Sequence, residues 1–130
     1  KPADSAWLED YTDPGRQPAW CSDEAFEVYV ETFKQSGFRG PINWYRNFER
    51  NWERTEPLAG RQIEQPALFL IGDRDPVGAL EAYTIKKMPS VVPQVEQHVI
   101  ADCGHWIQAE KPADVNGLLL PFLERHFPAT

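Results

Sequence analysis

Residues Pro66-Ala67-Leu68-Phe69-Leu70-Ile71-Gly72 form a continuous apolar run closed by glycine. A run without polar alternation suits a strand covered on both faces, and such strands lie in parallel sheets flanked by helices. A second strand is expected over Gln94 to Ala101, with a short helix between Gly78 and Lys87. Pro112 to His126 reads as a terminal helix opened by proline. Within it Pro121 follows Gly117 by four positions, which predicts a kink or a fresh helical start at Pro121. Strand, helix, strand, helix is an α/β unit, and two strands alone cannot make a sheet covered on both faces.

Upstream of this run the period is helical. Ser22 and Asp23 can cap a helix whose Phe26, Tyr29, Val30 and Phe33 share one face and which Gly37 ends. Pro41 suits the first position of a second helix carrying Ile42, Tyr45, Phe48 and Trp52 as one stripe. Ahead of both, Pro2, Pro14, Gly15 and Pro18 mark an irregular lead-in. The expected division is therefore a lead-in over residues 1–22, a helical pair over 23–58 and the α/β part over 59–130.

With 13 Lys and Arg against 20 Asp and Glu, the net charge is −7, and no basic run interrupts that balance. Phosphate recognition needs clustered positive charge, so nucleic acid is excluded as a partner. The longest apolar stretches, Ala67–Ile71 and Leu118–Leu123, are too short to cross a bilayer. Cys21 and Cys103 match no zinc or disulfide spacing, so free thiols in a reducing, cytoplasmic setting are expected. The chain begins Lys1-Pro2-Ala3-Asp4 with no signal-peptide pattern, so a piece of a longer polypeptide is expected.

Two loops follow the two strands: Gly72-Asp73-Arg74-Asp75-Pro76 and Asp102-Cys103-Gly104-His105-Trp106. The carboxyl edge of an open α/β sheet is where ligands bind. A carboxylate on one such loop and a histidine on the next fit the last two members of a hydrolase triad, the carboxylate orienting an imidazole base. No metal is expected, because His98, Asp102, Cys103 and His105 have no established ligand spacing and the Asp73 loop lacks calcium ligands at Val77 and Thr84. No nucleophile elbow, phosphate loop or dinucleotide fingerprint occurs, and Cys103 has no oxyanion-hole motif beside it to make it a nucleophile.

Several segments together carry a family resemblance: Phe33-x-x-Ser36-Gly37-Phe38-Arg39-Gly40-Pro41-x-Asn43-Trp44-Tyr45-Arg46-Asn47-x-x-Arg50-Asn51-Trp52, then Pro66-Ala67-Leu68, Asp102-Cys103-Gly104-His105-Trp106 and Lys111-Pro112-x-x-Val115-Asn116. From about Asp23 to His126 the chain resembles the C-terminal half of an α/β-hydrolase-fold epoxide hydrolase. The resemblance implies part of a lid over residues 23–58, followed by the C-terminal part of the hydrolase core. It also implies a reaction that needs no cofactor, in which an aspartate opens a small-molecule epoxide to an alkyl-enzyme ester that activated water then hydrolyses. On that resemblance Tyr45 is the second lid tyrosine, Asp75 the acidic partner and His105 the water-activating base, while Trp44 and Trp106 are expected as pocket wall or packing.

The nucleophile, the oxyanion-hole loop and the first lid tyrosine belong to the family's N-terminal half. The chain by itself is therefore expected to be inactive, and to need that half or a second copy to cover its sheet edge. Two alternatives share the fold. One is a binding or assembly module; the other is a haloalkane-type dehalogenase, against which Tyr45 argues.

Overall fold

In the computed structural model, residues 12–128 are described. The expected lead-in over residues 1–22 lies outside the described residues as far as position 11. From 12 to 22 it is irregular, with Asp13 accepting from the Gly15 N–H at 2.8 Å and Cys21 buried.

The chain divides into two compact units, one up to Ile42 and the other from Asn43. In the first, helix α1 (Asp23–Ser36) starts where the Ser22 hydroxyl accepts from the Ala25 N–H, and it ends at Gly37, whose φ of 63° suits glycine. Phe33 and Phe38 stack across that end with centroids 4.7 Å apart.

The expected single helix from Pro41 is instead two, α2 (Arg39–Arg46) and α3 (Phe48–Thr55). Pro41 takes the third position, where its missing N–H is still one of the unpaired donors of a helix start. Asn47 makes the break. Its side-chain amide donates to the Asn43 carbonyl at 2.7 Å, taking the acceptor that its own N–H would use in an unbroken helix, and that N–H turns to Trp44 instead. Ile42, Tyr45, Phe48 and Trp52 are all exposed. A turn of 3-10 helix, Glu56–Leu58, follows.

Strands β1 (Ala67–Gly72) and β2 (Val95–Ile100) pair in parallel from Ala67 opposite Val95 to Gly72 opposite Ile100. Between them, the expected single helix is divided at Glu81 into α4 (Pro76–Leu80) and α5 (Ala82–Val91). Pro89 in α5 leaves the Ile85 carbonyl without its helical donor, and the Gln97 amide on β2 supplies one at 3.1 Å. The expectation of a strand covered on both faces is corrected. Ala67 to Ile71 are only half-buried, because among the described residues the sheet has two strands and so little surface to share between its faces.

A short helix that the sequence pattern did not show, α6 (Ile107–Glu110), precedes α7 (Pro112–His126). Helix α7 runs unbroken through Pro121, so no fresh start occurs there. The carbonyl that Pro121 leaves unpaired is that of Gly117, where open space would surround even a Cβ. Ile100, Cys103 and Val115 form the buried cluster, flanked by Leu70 and Ile107, and Arg125 on α7 grips Glu96 on β2 at 2.7 Å. No helix among the described residues is long and apolar enough to cross a membrane.

Candidate active site

Asp75 ends the turn after β1 and caps α4. Its Oδ1 accepts from the Val77 N–H at 2.9 Å, with Pro76 in the first helical turn. Its other oxygen, Oδ2, lies 2.9 Å from His105 Nδ1. Only 7% of the Asp75 side chain is exposed, against 53% for His105. Burial alone would raise the Asp75 pKa, but the Val77 N–H and His105 outweigh it and hold the carboxyl below its usual value. An ionised Asp75 on Nδ1 draws the ring proton to that nitrogen and leaves the lone pair on Nε2, the arrangement of a poised general base.

The histidine loop is held by carboxylates that sequence reasoning did not single out. Asp73 accepts from the N–H groups of Asp102 and Cys103, both at 3.0 Å. These two bonds, that of Cys103 first, lower the Asp73 pKa. Glu110 accepts from Gly104 at 2.7 Å and from Trp106 at 3.0 Å. Arg74 pairs with Asp102, whose φ of 53° places it in the left-handed region that aspartate tolerates better than most residues. Glu110 leaves no sequence signal, because the pattern does not show the short helix that carries it and it stands four residues after Trp106, one beyond the spacing of a capping box.

At Gly72 the two loops meet with no room for a side chain. A Cβ there would fall far inside van der Waals contact of the Cys103 and Gly104 carbonyl oxygens. Cys103 is fully buried, and that burial pushes its thiol pKa up, so it stays protonated at neutral pH. Both cysteines are free thiols.

The structure brings Asp75, His105 and Trp106 together, the Trp106 ring standing edge-on to His105 at 5.1 Å. Tyr45 and Trp44 lie on α2, both strongly exposed, and the ring contact of Tyr45 is with Phe48 at 5.5 Å. Among the described residues no hydrogen bond links Tyr45 to the Asp75–His105 pair.

The sequence profile of the alpha/beta hydrolase fold matches residues 23–112. The chain belongs to that family. It is 40% identical over 123 residues to epoxide hydrolase A of Mycobacterium tuberculosis, covering 94% of this chain and 38% of that protein. It is 46% identical over 103 residues to the bifunctional epoxide hydrolase 2 of Rattus norvegicus, covering 79% of this chain and 18% of that one. The chain thus spans well under half the length of these relatives. Among solved structures, epoxide hydrolase A of Mycobacterium thermoresistibile superposes with a TM-score of 0.81 at 41% identity, covering 86% of this chain and 35% of that one. Potato (Solanum tuberosum) epoxide hydrolase I does so with a TM-score of 0.75 at 31% identity, covering 82% of this chain and 35% of that one.

Proposed function

We propose that this chain supplies the ester-hydrolysing part of an epoxide hydrolase that converts a small-molecule epoxide to a vicinal diol. The observation that carries the reading is the contact between Asp75 Oδ2 and His105 Nδ1 at 2.9 Å, on loops that leave the same edge of a parallel pair of strands. Similarity to named epoxide hydrolases supports the substrate class. In this reading residues 23–58 belong to the lid and 59–130 to the core. A complementary segment of the fold brings the aspartate nucleophile and covers the open sheet edge. The two free thiols support a reducing compartment, the cytoplasm.

The chemistry has two steps. The nucleophile attacks one epoxide carbon, the C–O bond breaks, and the Tyr45 phenol hydrogen-bonds the oxygen as negative charge develops on it and then gives it its proton. His105 Nε2 then takes a proton from water, and the resulting hydroxide adds to the ester carbonyl. Collapse expels the second diol oxygen, which takes the proton from the imidazolium while Asp75 stabilises that cation, and the carboxyl left on the nucleophile returns its proton through water to the Tyr45 oxygen. Trp44 and Trp106 wall the pocket.

The test is diol formation from a simple aryl epoxide by the complete hydrolase polypeptide carrying this segment, beside its His105→Gln variant. Diol formed by the wild type and lost in the variant is the expected result. No diol from the wild type would overturn the reading.

A further inference from the structure

We propose that Glu110 is the positioning residue for His105, a role that rests on the function proposed above and adds a residue to it. One carboxylate holds the N–H groups of the residues before and after the histidine: Oε2 accepts from the Gly104 N–H at 2.7 Å and Oε1 from the Trp106 N–H at 3.0 Å. Fixing those two N–H groups to one rigid carboxylate restricts the backbone of His105, which lies between them. The side chain is then held at Nδ1 by Asp75, at 2.9 Å, and steadied by the edge of Trp106.

Three further features converge on this arrangement. The Trp106 carbonyl accepts from the N–H groups of Ala109 and Glu110 at 2.8 and 2.9 Å, so α6 folds Glu110 back over the residue that precedes the helix. A carboxylate reaching the N–H just ahead of its own helix is a capping arrangement, and here the same group reaches one residue further to Gly104. Gly104 leaves the room it needs, since a Cβ there would sit 3.0 and 3.2 Å from the two Glu110 oxygens. Asp73 pins only the entry of the loop, at Asp102 and Cys103, which leaves the stretch around the histidine to Glu110.

A base misplaced by a fraction of an ångström loses its water before it loses its fold. Ester hydrolysis depends on His105, whereas alkylation depends on the nucleophile and on Tyr45. Loosening Glu110 therefore slows the second step alone. In a two-step covalent mechanism a slower second step lowers kcat and KM together and leaves kcat/KM unchanged.

Glu110→Gln keeps one acceptor oxygen and so one of the two bonds, Glu110→Ala keeps neither, and Glu110→Asp keeps the charge on a shorter arm. In the complete hydrolase, Glu110→Gln is expected to lower kcat on an aryl epoxide by about 10- to 100-fold with kcat/KM preserved. Glu110→Asp should restore part of the loss, and Glu110→Gln should speed amide hydrogen exchange at Gly104 and Trp106. Unchanged kcat, a parallel fall in kcat and kcat/KM, or unchanged exchange at both amides would overturn the proposal. If the wild type makes no diol, the function reading fails. Exchange at those amides and the Nδ1 proton signal of His105, read in the same samples, then decide whether Glu110 holds the loop. If Glu110→Ala does not fold, Glu110→Gln and Glu110→Asp carry the test.

Discussion

His105 Nδ1 and Asp75 Oδ2 are 2.9 Å apart, while the other oxygen of the same carboxyl caps α4 through the Val77 N–H. One side chain thus ties the helix start to the imidazole, and the two bonds can be separated by substitution. Asp75→Asn keeps an oxygen for Val77 but turns an amide N–H₂ toward Nδ1, which forces the ring proton onto Nε2 and removes the base. In the complete hydrolase this is expected to cost about 10,000-fold in kcat, the size of the same replacement in a Ser-His-Asp triad, with little change in melting temperature. Asp75→Ala should lose stability as well, by about 1 kcal/mol for the missing cap. Equal activity in the Asn variant and the wild type would show that the pair does not orient the histidine.

Gly72 makes a second test, of packing. Ala at this position drives a methyl group into the backbone oxygens of Cys103 and Gly104, which cannot swing aside as a side chain can. The expected loss is at least about 1–3 kcal/mol in denaturant unfolding. Gly78→Ala meets only the flexible tip of Ile71 at 3.3 Å and should cost much less.

The acid side of the stability curve follows from the two loop aspartates. Asp73, through the Cys103 and Asp102 N–H groups, and Asp75, through Val77 and His105 against the effect of burial, are both held below their ordinary value of 3.8 in the fold. The unfolded chain therefore takes up these protons first as the pH falls. The stability they contribute is complete above about pH 4 and is lost as pH drops through the depressed values. Asp73→Asn should flatten the dependence of unfolding free energy on pH below about 4. Parallel curves for variant and wild type would contradict the assignment.

Cys103 is expected to resist thiol reagents in the native protein and to react on unfolding, because it is 0% exposed and burial keeps it a neutral thiol. Labelling by iodoacetamide, followed by mass spectrometry with and without denaturant, measures this directly. Rapid native labelling at Cys103 would contradict the packing described.

Much of this arrangement is legible in the sequence. The caps of α1 are local, Ser22 on one side and Gly37 on the other, and they fall where the sequence put them. Strand β1 and helix α7 begin at or one residue from their expected starts, since an apolar run and an opening proline are both short-range signals. The pairing of Asp75 with His105 followed from the rule that loops at one sheet edge share a site. The break at Asn47 was not legible, because it turns on a side-chain amide competing for a backbone carbonyl inside an otherwise periodic helix. Asp73 and Glu110 were missed for a related reason. Their partners are backbone N–H groups, which leave no residue type in the sequence to recognise. The half-buried state of β1 could not be read from its apolar run, which encodes a preference for cover and not the number of neighbouring strands.

The most direct test of the account is intact-mass analysis of the complete hydrolase mixed with an aryl epoxide. If His105 activates the water that hydrolyses an ester intermediate, the His105→Gln variant accumulates protein heavier by one epoxide molecule, while the wild type returns to its unmodified mass as diol appears. A His105→Gln variant that forms diol at the wild-type rate and carries no adduct would contradict it.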